Sequence, residues 1–257
     1  MSKGYRTIKL KKKRHTAWIM LNRPDKLNAI NDVMLDELSE AIDRLEEDAD
    51  VRCVVIAGDG ERAFSAGGDL TEVRRLTPEM AAEFSVKGQQ VFGKLEEMSK
   101  PVVAAIGGYA LGGGLELALA CDFRIAADNT ELGCPETKLG LIPAWGGTQR
   151  LPLAVGVSEA KRLIMLGDRI QAGEALEMGL VDKVVPHKEL EKEVDALAQR
   201  LGDCSPETLK HVKRAVNSVI KVSPDGLKRE TEAFVRLFSA KETKEKLEGF
   251  GSQRNKK

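Results

Sequence analysis

Two glutamates, Glu116 and Glu136, stand in apolar, glycine-rich stretches of this 257-residue chain. A carboxylate in such a place is costly unless it has hydrogen-bond partners or a chemical task. Just before the first, Gly112-Gly113-Gly114 leaves backbone unshielded, and a helical pattern of Leu115, Leu117, Leu119 and Cys121 starts at once. The first N–H groups of a helix lack partners inside it and can face an anion or a polarised carbonyl oxygen. A second stretch of this kind, Ala63 to Leu70, follows an apolar strand pattern and carries Asp69 as a helix cap. One N–H from near Ala66 and one from near Gly113, aimed at one oxygen, make an oxyanion hole. Two carboxyl groups beside it supply acid–base catalysis. The plainer reading is two tight turns in which glycine permits positive φ, and spacing alone favours it.

Other chemistries find less support. Gly88 to Leu95 is a near miss to a phosphate-binding loop, but Leu95 stands where a hydroxyl residue is needed and no strand precedes it. Neither Gly-x-Gly-x-x-Gly nor Gly-x-Ser-x-Gly occurs. His15, His187 and His211 are scattered and form neither a metal cluster nor a triad, so no metal is expected. Cys53, Cys121, Cys134 and Cys204 show no Cys-x-x-Cys spacing and read as reduced, buried thiols of a cytoplasmic protein. Forty basic and forty acidic residues give zero net charge, so no bulk field favours nucleic acid or an anionic membrane. The run Lys9 to Arg14 is basic but has no aromatic platform, and reads as an edge strand protected by lysine. No apolar stretch is long enough to span a bilayer, and no secretory signal is expected.

The positioning elements follow from periodicity. Thr7–Arg14 and Thr16–Leu21 read as strands, 22–29 as a loop, and 31–48 as an amphipathic helix with Met34, Leu38, Ile42 and Leu45 on one face. Strands are predicted at 52–57, 102–106, 122–127, 131–134 and 181–185, and helices at 78–99, 158–166 and 172–178. From Lys188 the pattern is helical, broken at Ser205-Pro206 and Ser223-Pro224, and it ends in a charged helix and a basic tail. The prediction is an α/β core over 1–195 that carries the site, then a helical region over 196–257.

At this point the chain resembles the crotonase superfamily, and within it the enoyl-CoA hydratases, over nearly its whole length. The carriers are Leu21-Asn22-Arg23-Pro24, Leu27-Asn28-Ala29, Ala63 to Leu70, Gly107 to Leu117, Pro135-Glu136, Leu139 to Pro143 and Gly146 to Pro152. The resemblance implies a spiral of ββα units, with a helical C-terminal region that mediates trimerisation. It implies a homo-oligomer, a trimer or a dimer of trimers, and an acyl-CoA thioester as substrate. Coenzyme A is then part of the substrate and no separate cofactor is needed. It places the oxyanion-hole donors at Ala66 and Gly113 and the catalytic acids at Glu116 and Glu136. It places substrate contacts at Lys26, Leu27, Ala29, Ala66, Gly67, Gly68, Asp69, Leu70, Tyr109 and Trp145.

The implied reaction is syn addition of water to a 2-enoyl-CoA, reversible as dehydration of the 3-hydroxyacyl-CoA. Retention of both acids favours hydration over double-bond isomerisation, the first alternative. A non-catalytic CoA-ester or RNA-binding relative is the second. Pro143-Ala144-Trp145-Gly146 departs from the commoner Pro-Gly-Ala-Gly, and Gly68 stands where many members have alanine. Trp145 reads either as a wall that restricts the site to short acyl groups or as simple core packing.

Overall fold

The computed structural model describes residues 4–219 and 222–252. Its chain alternates between two sheets. The larger takes β1 (Ile8–Lys13), β2 (Thr16–Leu21), β3 (Cys53–Gly58), β5 (Val102–Ile106), β7 (Phe123–Ala127) and β10 (Lys183–Val185), in that spatial order. The smaller takes β4 (Ala63–Ser65), β6 (Tyr109–Leu111), β8 (Glu131–Gly133) and β9 (Arg169–Gln171). Each of the successive pairs β3/β4, β5/β6 and β7/β8 gives one strand to each sheet. Pairing is parallel except for β1 on β2 and β9 on β8. Helices follow each pair: α2 (Leu70–Val73) and α3 (Pro78–Glu97), then α4 (Gly113–Leu119), then α5 (Gly147–Leu166). This is the expected ββα spiral.

Period-2 alternation fixes what each face of the larger sheet meets. Val54 and Ile56 of β3 point into the main core, with Met34, Leu35, Leu38, Ala41, Ile42 and Leu45 of α1 (Asp32–Glu47). Cys53, Val55 and Ala57 point the other way, onto Leu190, Val194 and Ala198 of α7 (Leu190–Gly202). Asn31 caps α1 by accepting from the Met34 N–H at 3.0 Å.

Three strands, one helix and one cysteine depart from expectation. The strands β4, β6 and β9 have three residues each and carry too little alternation to be read from sequence. Helix α5 begins at Gly147, eleven residues before the predicted start. Pro152 and a left-handed break at Gly156 (φ +79°) interrupt its pattern. Cys204 is exposed, whereas Cys53, Cys121 and Cys134 are buried free thiols.

The edge strand β1 carries its lysines paired: Lys9 with Asp59 at 2.8 Å, Lys12 with Asp48 at 3.1 Å, and Lys13 with Asp195. Helix α7 runs across residues 195 and 196 and belongs to the packing of the larger sheet. Beyond α6 (Ala172–Glu177), the C-terminal helices are α8 (Pro206–Val219), α9 (Pro224–Phe238) and α10 (Lys241–Ser252). Of these, α9 packs against α3 and α5. The predicted basic tail, 253–257, lies outside the described residues. No described helix is long and apolar enough to cross a membrane.

Candidate active site

The site is built where β6 ends and α4 begins. Gly112 donates to Gly133 O at 2.8 Å, and then turns at φ +52° and ψ −125°, a conformation that side chains resist. Glycine is needed there twice over, since a Cβ would sit 2.7 Å from Glu136 Oε1. Helix α4 follows with every residue buried, Glu116 among them at 2% exposure.

Glu116 is held by the N-terminus of α5. Its Oε1 accepts from the N–H of Trp145 at 2.8 Å and of Gly147 at 2.7 Å, leaving Oε2 without a protein donor among the described residues. Glu136 lies on a 3₁₀ turn, Pro135–Leu139, and its Oε2 is buried with no hydrogen-bond partner among the described residues. Burial, then the charge of Glu230, then that of Glu136, raise Glu116 well above the ordinary carboxylate range. Burial, with a smaller push from Glu230, raises Glu136 to about 7. Two such neighbours cannot both ionise cheaply, so they share a proton near neutrality. The two amide donors favour charge on Glu116. The orphan Oε2 favours the neutral, proton-donating form of Glu136.

The second loop corrects one expectation. The Ala66 N–H donates to Leu27 O at 2.9 Å, so it is not free for a ligand. Gly67 N–H turns to Ser65 Oγ at 3.2 Å. Gly68 forms a parallel bridge with Ile30 that uses the carbonyl of Gly67 and the N–H of Asp69. In parallel pairing the intervening residue points its own N–H the other way. Neither Gly68 nor Gly113 has a protein acceptor for its N–H among the described residues. A Cβ on Gly67 would lie 3.1 Å from Gly113 N, so the two loops abut.

Trp145 underlies both loops. A Cβ on Gly113 would meet its ring at 2.2 Å and one on Gly68 at 3.6 Å. The indole is 2% exposed, donates to Phe84 O at 3.1 Å, and lies 4.9 Å from the Phe84 ring and 5.5 Å from that of Phe92. On its other side, Phe84 lines a cleft of about 450 Å³ between α2 and α3, with Leu76, Met80, Arg75 and Lys87.

The remaining expected contacts separate into two groups. Leu27 and Asn28 adopt left-handed backbone, and Asn28 ties their loop to Ala63 O at 2.8 Å and to Asp59 O at 3.0 Å. Ala29 is buried there, and Lys26 is exposed at the rim. Asp69 is structural: it pairs with Arg23 at 2.7 Å and caps α2 through the Thr71 N–H at 2.9 Å. Leu70 packs on the core. Tyr109 opens β6 with its ring 5.7 Å from the Arg169 guanidinium.

Sequence reasoning missed Glu230, which is 2% exposed on α9. Its signal was a single acid on the apolar stripe of Leu227, Phe234 and Phe238, where charge is out of place.

The comparisons with known proteins agree with this architecture. The family described as Enoyl-CoA hydratase/isomerase matches residues 11–257. The chain is 40% identical to the short-chain-enoyl-CoA hydratase of Clostridium acetobutylicum over 246 residues, 95% of this chain and 94% of that protein. It is 41% identical to the crotonyl-CoA hydratase of Syntrophomonas wolfei over 252 residues, 98% of this chain and 97% of that one. Among solved structures, the enoyl-CoA hydratase of Bacillus anthracis superposes with a TM-score of 0.82 at 38% identity, covering 98% of this chain and 97% of that one. The chain belongs to the enoyl-CoA hydratase/isomerase family.

Proposed function

We propose that this protein hydrates short-chain 2-enoyl-CoA thioesters to 3-hydroxyacyl-CoA and runs the reverse dehydration. One observation carries the reading: two buried carboxyls of unequal environment flank a turn whose Gly113 N–H has no protein acceptor among the described residues. The thioester oxygen sits on the N–H groups of Gly113 and Gly68, the latter replacing Ala66 in that role. Glu116 Oε2 holds the water and takes its proton as the oxygen bonds to Cβ. The π electrons move onto the thioester oxygen as an enolate, and Cα takes the proton of Glu136. The proton gained by Glu116 replaces the one lost by Glu136, so the charge of the pair is conserved. Each oxyanion donor contributes roughly 10²–10³ in rate, and each acid or base roughly 10²–10⁴.

Trp145 and Phe84 wall off the oxyanion turns from the cleft beyond, which supports a short acyl group. Exposed Leu153 and Val157 on α5 and Val212 and Val216 on α8 support self-association, as a trimer or dimer of trimers. The pairing of Lys9, Lys12 and Lys13 with aspartates supports an acyl-CoA partner over a nucleic acid.

The test follows loss of the conjugated-enoyl absorbance with crotonyl-CoA, for wild type, Glu116→Ala and Glu136→Ala. Turnover by wild type and loss of at least about 10²-fold in each variant is expected. Consumption of 3-enoyl-CoA without hydration would point to isomerisation instead. In the same assay, turnover falls steeply with chain length in wild type and less so in Trp145→Ala. Undiminished wild-type turnover of long chains sinks the short-chain assignment.

A further inference from the structure

Four consecutive N–H groups at the start of α5 alternate between two carboxylates. Trp145 and Gly147 donate to Glu116 Oε1 at 2.8 and 2.7 Å. Gly146 donates to Glu230 Oε1 at 2.6 Å and Thr148 to Glu230 Oε2 at 2.9 Å, and the Thr148 hydroxyl donates to the same Oε2. Gln89 Nε2 adds a further donor to Glu230 Oε1 at 3.2 Å. A helix start leaves these N–H groups unpaired, and its dipole favours negative charge. Glu230 thus grips the back of the strip whose front grips Glu116. It comes from α9, in the C-terminal helical region, and nothing in the hydration chemistry requires it to touch substrate.

We propose that Glu230 is a positioning residue for hydration: it fixes the 145–148 strip that orients Glu116, and its charge behind Glu116 sets the pH at which Glu116 becomes a base. The proposal rests on the hydration reading. The acids facing Glu230 are Glu116 on α4 and Glu136 on the 3₁₀ turn, with the buried Cys134 thiol beside them. The cation on this strip is Arg150, which donates to Trp145 O at 2.7 Å and is paired with Glu96 at 2.7 Å. That pairing leaves Glu230 and Glu116 to repel one another across the strip. Burial raises Glu230 itself, and its four donors pull it back toward the charged form.

The experiment measures kcat and KM for crotonyl-CoA across pH in wild type, Glu230→Gln and Glu230→Asp. It also follows, by infrared difference spectroscopy without substrate, the titration of the buried carboxyls, with bands assigned through Glu116→Gln and Glu136→Gln. Removing the charge in E230Q lets Glu116 ionise more readily. The acid limb of kcat/KM and the infrared midpoint of Glu116 therefore both move down, on the order of one pH unit. E230D keeps the charge but withdraws it from the strip. Its limb stays in place while kcat falls roughly tenfold with KM within about twofold, as for a misplaced group. An unmoved Glu116 midpoint in E230Q overturns the proposal, whatever the melting temperature. Wild-type kcat in E230D overturns it too, and serves alone if E230Q does not fold. A wild type inert toward crotonyl-CoA sinks the hydration reading instead, and the infrared midpoint still decides what Glu230 does to Glu116.

Discussion

The proposed chemistry rests on two glutamates made unlike by their backbone neighbours. Glu116 receives two N–H groups on one oxygen, and Glu136 keeps a buried oxygen with none. Burial raises Glu136 from 4.5 to about 7, so its folded form binds a proton that the unfolded chain releases. The stability this brings is complete below pH 4.5 and is lost as pH rises through 7. Glu136→Gln stays neutral throughout. Its melting temperature should match that of wild type at about pH 5 and exceed it at about pH 8, by the equivalent of about 1–3 kcal/mol. Melting curves that run parallel across this range would contradict the raised carboxyl. On the proposed mechanism the same substitution removes the proton for Cα, so stability and activity should move in opposite directions.

At the scale of elements, α3 is shaped around Trp145. Gly88 lies buried inside this twenty-residue helix, where glycine costs about 1 kcal/mol relative to alanine. The compensation is space: a Cβ there would fall 2.1 Å from Trp145 Cδ1. The indole cannot yield, being held by its bond to Phe84 O and by two aromatic neighbours. Gly88→Ala should therefore lower stability by about 1–3 kcal/mol despite its helix preference. In the Trp145→Ala background the clash is gone and the sign should reverse. Denaturant titration of the four proteins measures the coupling, and additive effects would refute the packing argument. Trp145 is core packing, one of the two roles weighed from its sequence, and the proposed acyl wall would rest on that packing.

Across the whole molecule, buried polar contacts fasten the C-terminal helices to the core. Lys213 of α8 reaches Asp122 at 2.7 Å, Leu95 O at 2.8 Å and Lys100 O at 3.1 Å, with little of its side chain exposed. Asp122 is raised by burial, and Lys213 offsets that cost. Lys213→Met strands a buried carboxylate and should destabilise by about 3–5 kcal/mol, loosening α8 to proteolysis. Adding Asp122→Asn should return much of the loss. Wild-type stability in K213M would show that α8 is held by other contacts. The same helical region delivers Glu230 to the site, so fastening α8 and α9 also bears on the chemistry.

By itself the sequence determined most of the longer elements and singled out two acids that the fold buries side by side. The faces of α1 and β3 are written in alternating apolar residues, and Glu116 and Glu136 are conspicuous because charge is rare among glycine and leucine. The short strands β4, β6 and β9 were not legible, because each is flanked closely by glycine and turn residues and its stability comes from neighbours distant in sequence. Only tertiary structure decided which N–H groups remain free. The Leu27 carbonyl reaches across the fold to occupy Ala66, and pairing with Ile30 turns the Gly68 N–H outward. Glu230 entered the site the same way, over a hundred residues after Glu116, since a hydrogen bond depends on position in space and periodicity records only a residue's own helix.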